Sequence, residues 1–153
     1  MEEHEKWMHW CLNLAQQALQ QGDFPVGAVV VQKGKLIGQG VEAGQLKKDI
    51  TCHAEMEAIR DARQTINTAD LQNCILYSTH EPCIMCSYVI RHHKISRVVV
   101  GTTVPEVGGS SSAYPLLSAP DISIWVAPPH LVTGVLAEAC QALSQAYKQK
   151  FKK

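Results

Sequence analysis

The chain of 153 residues has the length of one domain, and at that size it can bury roughly 70% of the surface its unfolded form exposes, so it needs no disulfides to fold. Hydrophobic residues at 46% and charged residues at 18% exclude a disordered chain. Lys and Arg number 14, as do Asp and Glu, which argues against a protein whose main task is coating nucleic acid or an anionic membrane and leaves room for one local basic patch.

In chain order, the start Met1-Glu2-Glu3-His4-Glu5 is acidic where a signal peptide is basic, and no apolar core follows it. Apolar runs such as residues 26–31 fall far short of a membrane span. A cytoplasmic protein is expected, and in that reducing compartment the six cysteines read as thiols or metal ligands rather than bridges. Trp7, Cys11, Leu14 and Ala18 recur at helical spacing over 5–21, and Gly22 supplies a stop. Residues 26–31 form a buried strand by composition, and Lys33-Gly34 turns it into a second strand over 36–41. A polar loop leads to a helix over 54–63, a strand over 74–78, a helix over 84–92 and an apolar strand over 97–100. Strand, helix, strand implies a right-handed crossover and parallel pairing. Residues 102–120, with Gly108-Gly109-Ser110-Ser111-Ser112, read as a long loop. A last strand is predicted over 122–126 and a terminal helix over 131–147. The layout is α/β: a mixed sheet covered by helices on both faces.

Two short segments carry chemistry. His53-Ala54-Glu55 opens the second helix, and Pro82-Cys83-Ile84-Met85-Cys86 opens the third. Cys83 and Cys86, three apart on a first helical turn, share a face, and Pro82 stands where a helix start loses no N–H. Two positive helix ends can thus converge on one point and favour thiolate over thiol there. His53 and Glu55 would diverge by about 200° in mid-helix. At the N-terminus the first side chain projects ahead of the helix, so both reach a site beyond its end. One nitrogen and two sulfur ligands, from His53, Cys83 and Cys86, suit tetrahedral Zn²⁺ with a fourth position left for water. Glu55 is then the proton carrier that a hydrolysis needs. A structural zinc site would want a fourth protein ligand and no spare carboxylate. The alternative, a redox Cys-x-x-Cys pair, leaves His53, Glu55 and Pro82 without a task.

These segments, with Pro25-Val26-Gly27-Ala28-Val29, Ile37-Gly38-x-Gly40, the extension of the first motif through Ala58-Ile59-Arg60, Glu81 before Pro82, and the late Gly134-Val135-Leu136-x-Glu138-x-Cys140-x-x-Leu143, resemble the cytidine-deaminase-like zinc deaminases. Within that superfamily the likeness is to the branch of tRNA adenosine deaminases, guanine deaminases and yeast-type cytosine deaminases, over nearly the whole chain. The resemblance implies one zinc deaminase domain over 1–153 with a three-layer α/β/α fold and a mixed five-stranded sheet. It implies one Zn²⁺ per subunit and a homodimer. It further implies that Glu55 moves a proton from water to a ring nitrogen and then helps ammonia depart, and that the backbone N–H of Ala54 donates to the substrate.

The pattern breaks at Glu42. Two residues after Gly38-x-Gly40 the branch has an asparagine that hydrogen-bonds the base. A carboxylate in its place, if it lines the pocket, should favour a substrate presenting N–H donors and disfavour a carbonyl oxygen or nearby phosphate. The alternative is a solvated charge on a shifted loop. The loop 102–112 carries Glu106 and no basic residue, unlike an anticodon-binding surface. Lys148, Lys150, Lys152 and Lys153, interleaved with Tyr147 and Phe151, could nevertheless track tRNA phosphates and stack a base, or simply form a solvated end. Tyr114 and Trp125 are candidate pocket residues through the resemblance, with core packing as their other use. Cys11, Cys52, Cys74 and Cys140 are expected to pack as small hydrophobes, and Glu81 to orient the turn before Cys83. His80, His92 and His93 are candidates for substrate or surface contacts.

The leading reading is a zinc-dependent hydrolytic deaminase of a free purine or pyrimidine base, nucleoside or related amino-heterocycle, without a membrane partner. Its nearest alternative is a tRNA adenosine deaminase that makes inosine at the wobble position. A third is a deaminase-fold binding partner without turnover, against which the retention of Glu55 beside all three ligands speaks.

Overall fold

The computed structural model describes residues 2–151. Helix α1 (Glu2–Gln20) precedes the strands β1 (Gly27–Gln32) and β2 (Lys35–Val41); α2 (Ala54–Ile66), β3 (Cys74–His80), α3 (Ile84–His92), β4 (Arg97–Thr102), β5 (His130–Val132) and α4 (Ala137–Phe151) follow. The strands form one sheet in the order β2-β1-β3-β4-β5. β1 pairs antiparallel with both β2 and β3, and the β3–β4 and β4–β5 pairs are parallel. This is the mixed five-stranded α/β sandwich that the strand–helix alternation implies. Among the described residues no helix is long and apolar enough to cross a membrane.

The period-2 alternation of the strands divides the core into two layers. Ala28, Val30, Leu76, Val98 and Val100 face α2 and α3, where Ala54, Ala58, Ile59, Ala62 and Ile90 cover them. Val29, Val31, Tyr77 and Val99 face the other way, onto Trp7, Met8, Cys11 and Leu14 of α1 and Cys140 of α4. Cys11, Cys74 and Cys140 are buried small side chains in these layers, as expected, and Cys52 is buried too. The β1–β2 turn has Lys33 at φ 51° and Gly34 at φ 75°, the left-handed pair that a two-residue hairpin requires.

Gly38 and Gly40 explain the position of α2. A Cβ at Gly40 would strike the carbonyl oxygen of Ala54, and one at Gly38 the carbonyl oxygen of Ala58. The first turns of α2 therefore lie directly on the backbone of β2, and that contact sets where His53 and Glu55 stand. Two residues separate the end of β3 at His80 from the N-cap of α3 at Cys83, so the two helix starts meet beyond the carboxyl end of the central strand. Ligands bind at such ends in α/β sheets.

The C-terminal third corrects two expectations. Residues 122–126 do not form a strand. Arg91, on α3 and only 2% exposed, donates Nη1–H groups to the carbonyls of Leu116 and Ala119 and an Nη2–H to that of Val126, so the segment is tied to the end of α3 instead of the sheet. Ile124 and Val126 are left exposed. The fifth strand is the three-residue β5, paired with Arg97–Val99. The terminal helix begins at Ala137 rather than 131, because Gly134 at φ 82° and Leu136 at φ 53° break the helical path before it.

Candidate active site

His53 occupies the N-cap of α2 and Cys83 the N-cap of α3, both with extended backbone and neither with a side-chain cap bond. Their side chains are free to turn toward each other. Nδ1 of His53 lies 3.6 Å from Sγ of Cys83 and 3.6 Å from Sγ of Cys86, and one donor atom from each of the three sits within 4.8 Å of the others. A tetrahedral zinc with bonds of about 2.05 Å to nitrogen and 2.3 Å to sulfur has N···S edges of about 3.6 Å. The donor set therefore fits Zn²⁺ in both chemistry and spacing.

The protons of this cluster are already shared. The hydrogen bond from Cys86 pulls the Cys83 thiol down to about 4, with His53 adding to the effect. The bond to Cys83 in turn lifts His53 to about 9. Such labile protons are what a divalent cation displaces.

Glu55 stands on the first turn of α2 and is 4% exposed. Ser78 of β3 donates Oγ–H to its Oε2 at 3.3 Å. Burial pushes its carboxyl up to about 7, and among the described residues no lysine or arginine pairs with it.

Glu42 is buried rather than solvated, with 9% of its surface exposed. Its Oε1 accepts from the N–H of Ala54 at 3.1 Å and its Oε2 from the N–H of Gly44 at 3.3 Å. The orphan N–H at the start of α2 is thus capped by a carboxylate from the preceding loop, which leaves the His53 ring for other work. Burial raises the Glu42 carboxyl above its ordinary range, against the pull of His53 and the Ala54 N–H. The loop is held in place by Asp23, whose carboxylate accepts from the N–H groups of Gln45 and Leu46, and by the Ala43 N–H to the Cys52 carbonyl.

These groups line a cavity of about 210 Å³ together with Phe24, Val26, His80, Glu81 and Val104. The volume is below the roughly 300–1,000 Å³ of sites for drug-sized ligands and suits a single ring system. Among the described residues no lysine or arginine lines the cavity. Burial pushes His80 down to about 4, so it is neutral; its Nε2 lies 3.1 Å from Ser144 Oγ, and its ring meets Phe24 edge-on. Glu81 does orient its surroundings. Its carboxylate accepts from the N–H groups of Val104, Ser110 and Ser111 and the hydroxyls of both serines. Burial opposes its ionisation, and these bonds outweigh burial to hold it below the ordinary range.

The sequence-predicted residues His53, Glu55, Cys83, Ala54 and Glu42 are brought together, with Cys86 behind them. The Ala54 N–H is occupied by Glu42. Tyr114, 60% exposed, and Trp125 do not line the cavity. Trp125 packs over Arg91 and edge-on to Tyr88, and it donates to His92 at the far end of α3, about 13 Å along that helix. Phe24 and Val104 were not anticipated, since an apolar side chain in a loop carries no pattern of its own. Lys148 and Lys150 lie on the last turn of α4, and Tyr147 meets Phe24 edge-on at 5.1 Å. Lys152 and Lys153 lie outside the described residues.

Comparison with known proteins matches residues 1–102 to the family described as "Cytidine and deoxycytidylate deaminase zinc-binding region". The tRNA-specific adenosine deaminase of Aquifex aeolicus is 35% identical over 145 residues, covering 95% of this chain and 94% of the relative. Among solved structures, a tRNA:A34 deaminase described for A-to-I editing at the wobble position superposes with a TM-score of 0.83 at 28% identity, covering 90% of this chain and 98% of that one. The guanine deaminase of Bacillus subtilis superposes with a TM-score of 0.63 at 34% identity, over 65% of this chain and 64% of that one. The match spans more than half of the chain and includes all three metal-ligand candidates, and so the chain belongs to the cytidine and deoxycytidylate deaminase zinc-binding family.

Proposed function

We propose that this zinc-dependent hydrolytic deaminase acts on a free amino-heterocycle, as base or nucleoside, in the cytoplasm, as a single domain and a homodimer. The observation that carries the small-molecule reading is the buried Glu42 carboxylate on the wall of a small cavity without lysine or arginine in its lining. In this reading His53, Cys83 and Cys86 would hold the zinc, which would supply the Lewis acidity that makes water a nucleophile near neutral pH. Glu55 takes a proton from that water and passes it to a ring nitrogen, which makes the neighbouring amino-bearing carbon more electrophilic. It then carries the second proton of that water, from the added hydroxyl, to the departing amine. The net reaction exchanges an exocyclic amino group for oxygen, consuming water and releasing ammonia. Ser78 holds Glu55 in place, and Phe24, Val26 and Val104 present apolar surface to the ring. Exposed Ile84 and Tyr88, one turn apart on α3, offer a face for the second copy, and a solution mass twice that of the chain checks the dimer.

The tRNA reading is favoured by a different observation: the relative from Aquifex aeolicus, matched over nearly its full length, is a tRNA-specific adenosine deaminase. Tyr147, Phe151, Lys148 and Lys150 on α4 would then meet the nucleotides beside the target. Ammonia release by zinc-loaded protein, measured on free bases, nucleosides, amino-triazines and an adenosine-containing anticodon stem-loop, separates the two. Turnover of a small compound is expected. Inosine formed only in the stem-loop would overturn the small-molecule reading.

A further inference from the structure

We infer that Glu42 makes the site selective for amino-rich heterocycles, rings that offer a further N–H besides the amino group that leaves. The inference rests on the small-molecule reading above and names its substrate class.

Glu42 does two things to the wall at once. Its Oε1 occupies the Ala54 N–H, so the backbone donor at the start of α2 is withdrawn from the cavity. In its place stands a carboxylate with about four acceptor directions, two of them used by Ala54 and Gly44. The remaining polar lining does not restore the lost donor. Glu55 is committed to the proton it moves between water and the ring, His80 is engaged with Ser144, and the Glu81 carboxylate already receives five hydrogen bonds. A carbonyl oxygen or phosphate entering here meets acceptors and negative charge. A ring bearing a second amino group fills the open acceptor directions of Glu42. A ring without one leaves the two open acceptor directions of a buried carboxylate stripped of water and unfilled, a loss worth about tenfold or more in selectivity.

Two matched pairs test this, 2-aminoadenosine against adenosine and 2,4-diaminopyrimidine against 4-aminopyrimidine. Wild-type protein should favour the diamino member of at least one pair by about tenfold or more in kcat/KM, and Glu42→Gln should bring that ratio to within about twofold. The amide retains an oxygen for the Ala54 N–H, so zinc content and melting temperature should stay near wild type. Dissociation constants measured on Glu55→Ala protein should show the same preference without turnover. Small compounds turned over by the wild type with no diamino preference, or a preference that Glu42→Gln leaves intact, would overturn the inference alone. Silence on every small compound beside an active stem-loop would overturn the small-molecule reading and the inference with it.

Discussion

Exchange of Glu55 for glutamine lowers ammonia release by about 10²–10⁴-fold, the usual contribution of a positioned acid–base group, while the protein keeps one zinc per chain. The prediction follows from the separation of tasks within the site. Glu55 is not one of the three clustered donors, so its loss leaves the ligand set intact. The amide has nearly the same volume and still accepts from Ser78, but it cannot carry a proton from water to a ring nitrogen. It also replaces a buried carboxylate that has no cationic partner, so the melting temperature should hold or rise, as is common when a strained active-site group is relieved. Metal analysis, a thermal melt and an ammonia assay on the same preparation check all three points. Turnover within a few-fold of wild type would assign the proton transfer to another group.

Cys86→Ala has the opposite signature, in which metal and turnover disappear together. Cys86 is fully buried and stands 3.6 Å from His53 Nδ1, inside the first turn of α3. Its removal takes away one of two thiolates, and the loss of zinc affinity should exceed the about 10–100-fold that follows loss of an outer partner. Because a ligand bound only to the folded state stabilises it by mass action, the wild-type melting temperature should fall on adding a chelator, whereas that of Cys86→Ala should not move. Competition with a chromophoric chelator gives the affinity. Stoichiometric zinc in the purified variant would remove Cys86 from the ligand set.

The same contrast between local and distant causes explains what could be read from the sequence. The hairpin, α2, β3, α3 and β4 were legible because each carries its own local composition and stop signals, and the metal cluster was legible because its members fall in two short helix-opening segments. The C-terminal third was not. Residues 122–126 have strand composition, yet their course is decided by Arg91, which lies on α3 and announces nothing about the carbonyls it will take. β5 has three residues, too few to show alternation. Glu42 drew attention by its position after Gly38-x-Gly40. Its bond to Ala54 depends on how the loop 42–52 closes, and that is governed by Asp23, some twenty residues upstream. Tyr114 and Trp125 were candidates through the resemblance, and a resemblance in the C-terminal half does not tell which end of α3 a side chain will reach.

Glu81 and Arg91 together alter how the chain between β4 and β5 responds to mutation. Glu81 grips that connection at residues 104–111, mostly through backbone N–H groups and small hydroxyls. Arg91 grips it again at 116–126 through carbonyls alone. Backbone atoms are the same whatever side chain hangs from them, so at those contacts the connection is held without its side chains being read. Variation can accumulate along it, including at surface positions such as Tyr114 and Ile124, without shifting Cys83 beneath. Within the connection the burden falls on Gly108 and Gly109, where a Cβ would strike Glu81 and Ser87, and on buried Leu117; the rest of it is carried by two charged residues outside, on the scaffold of the metal site.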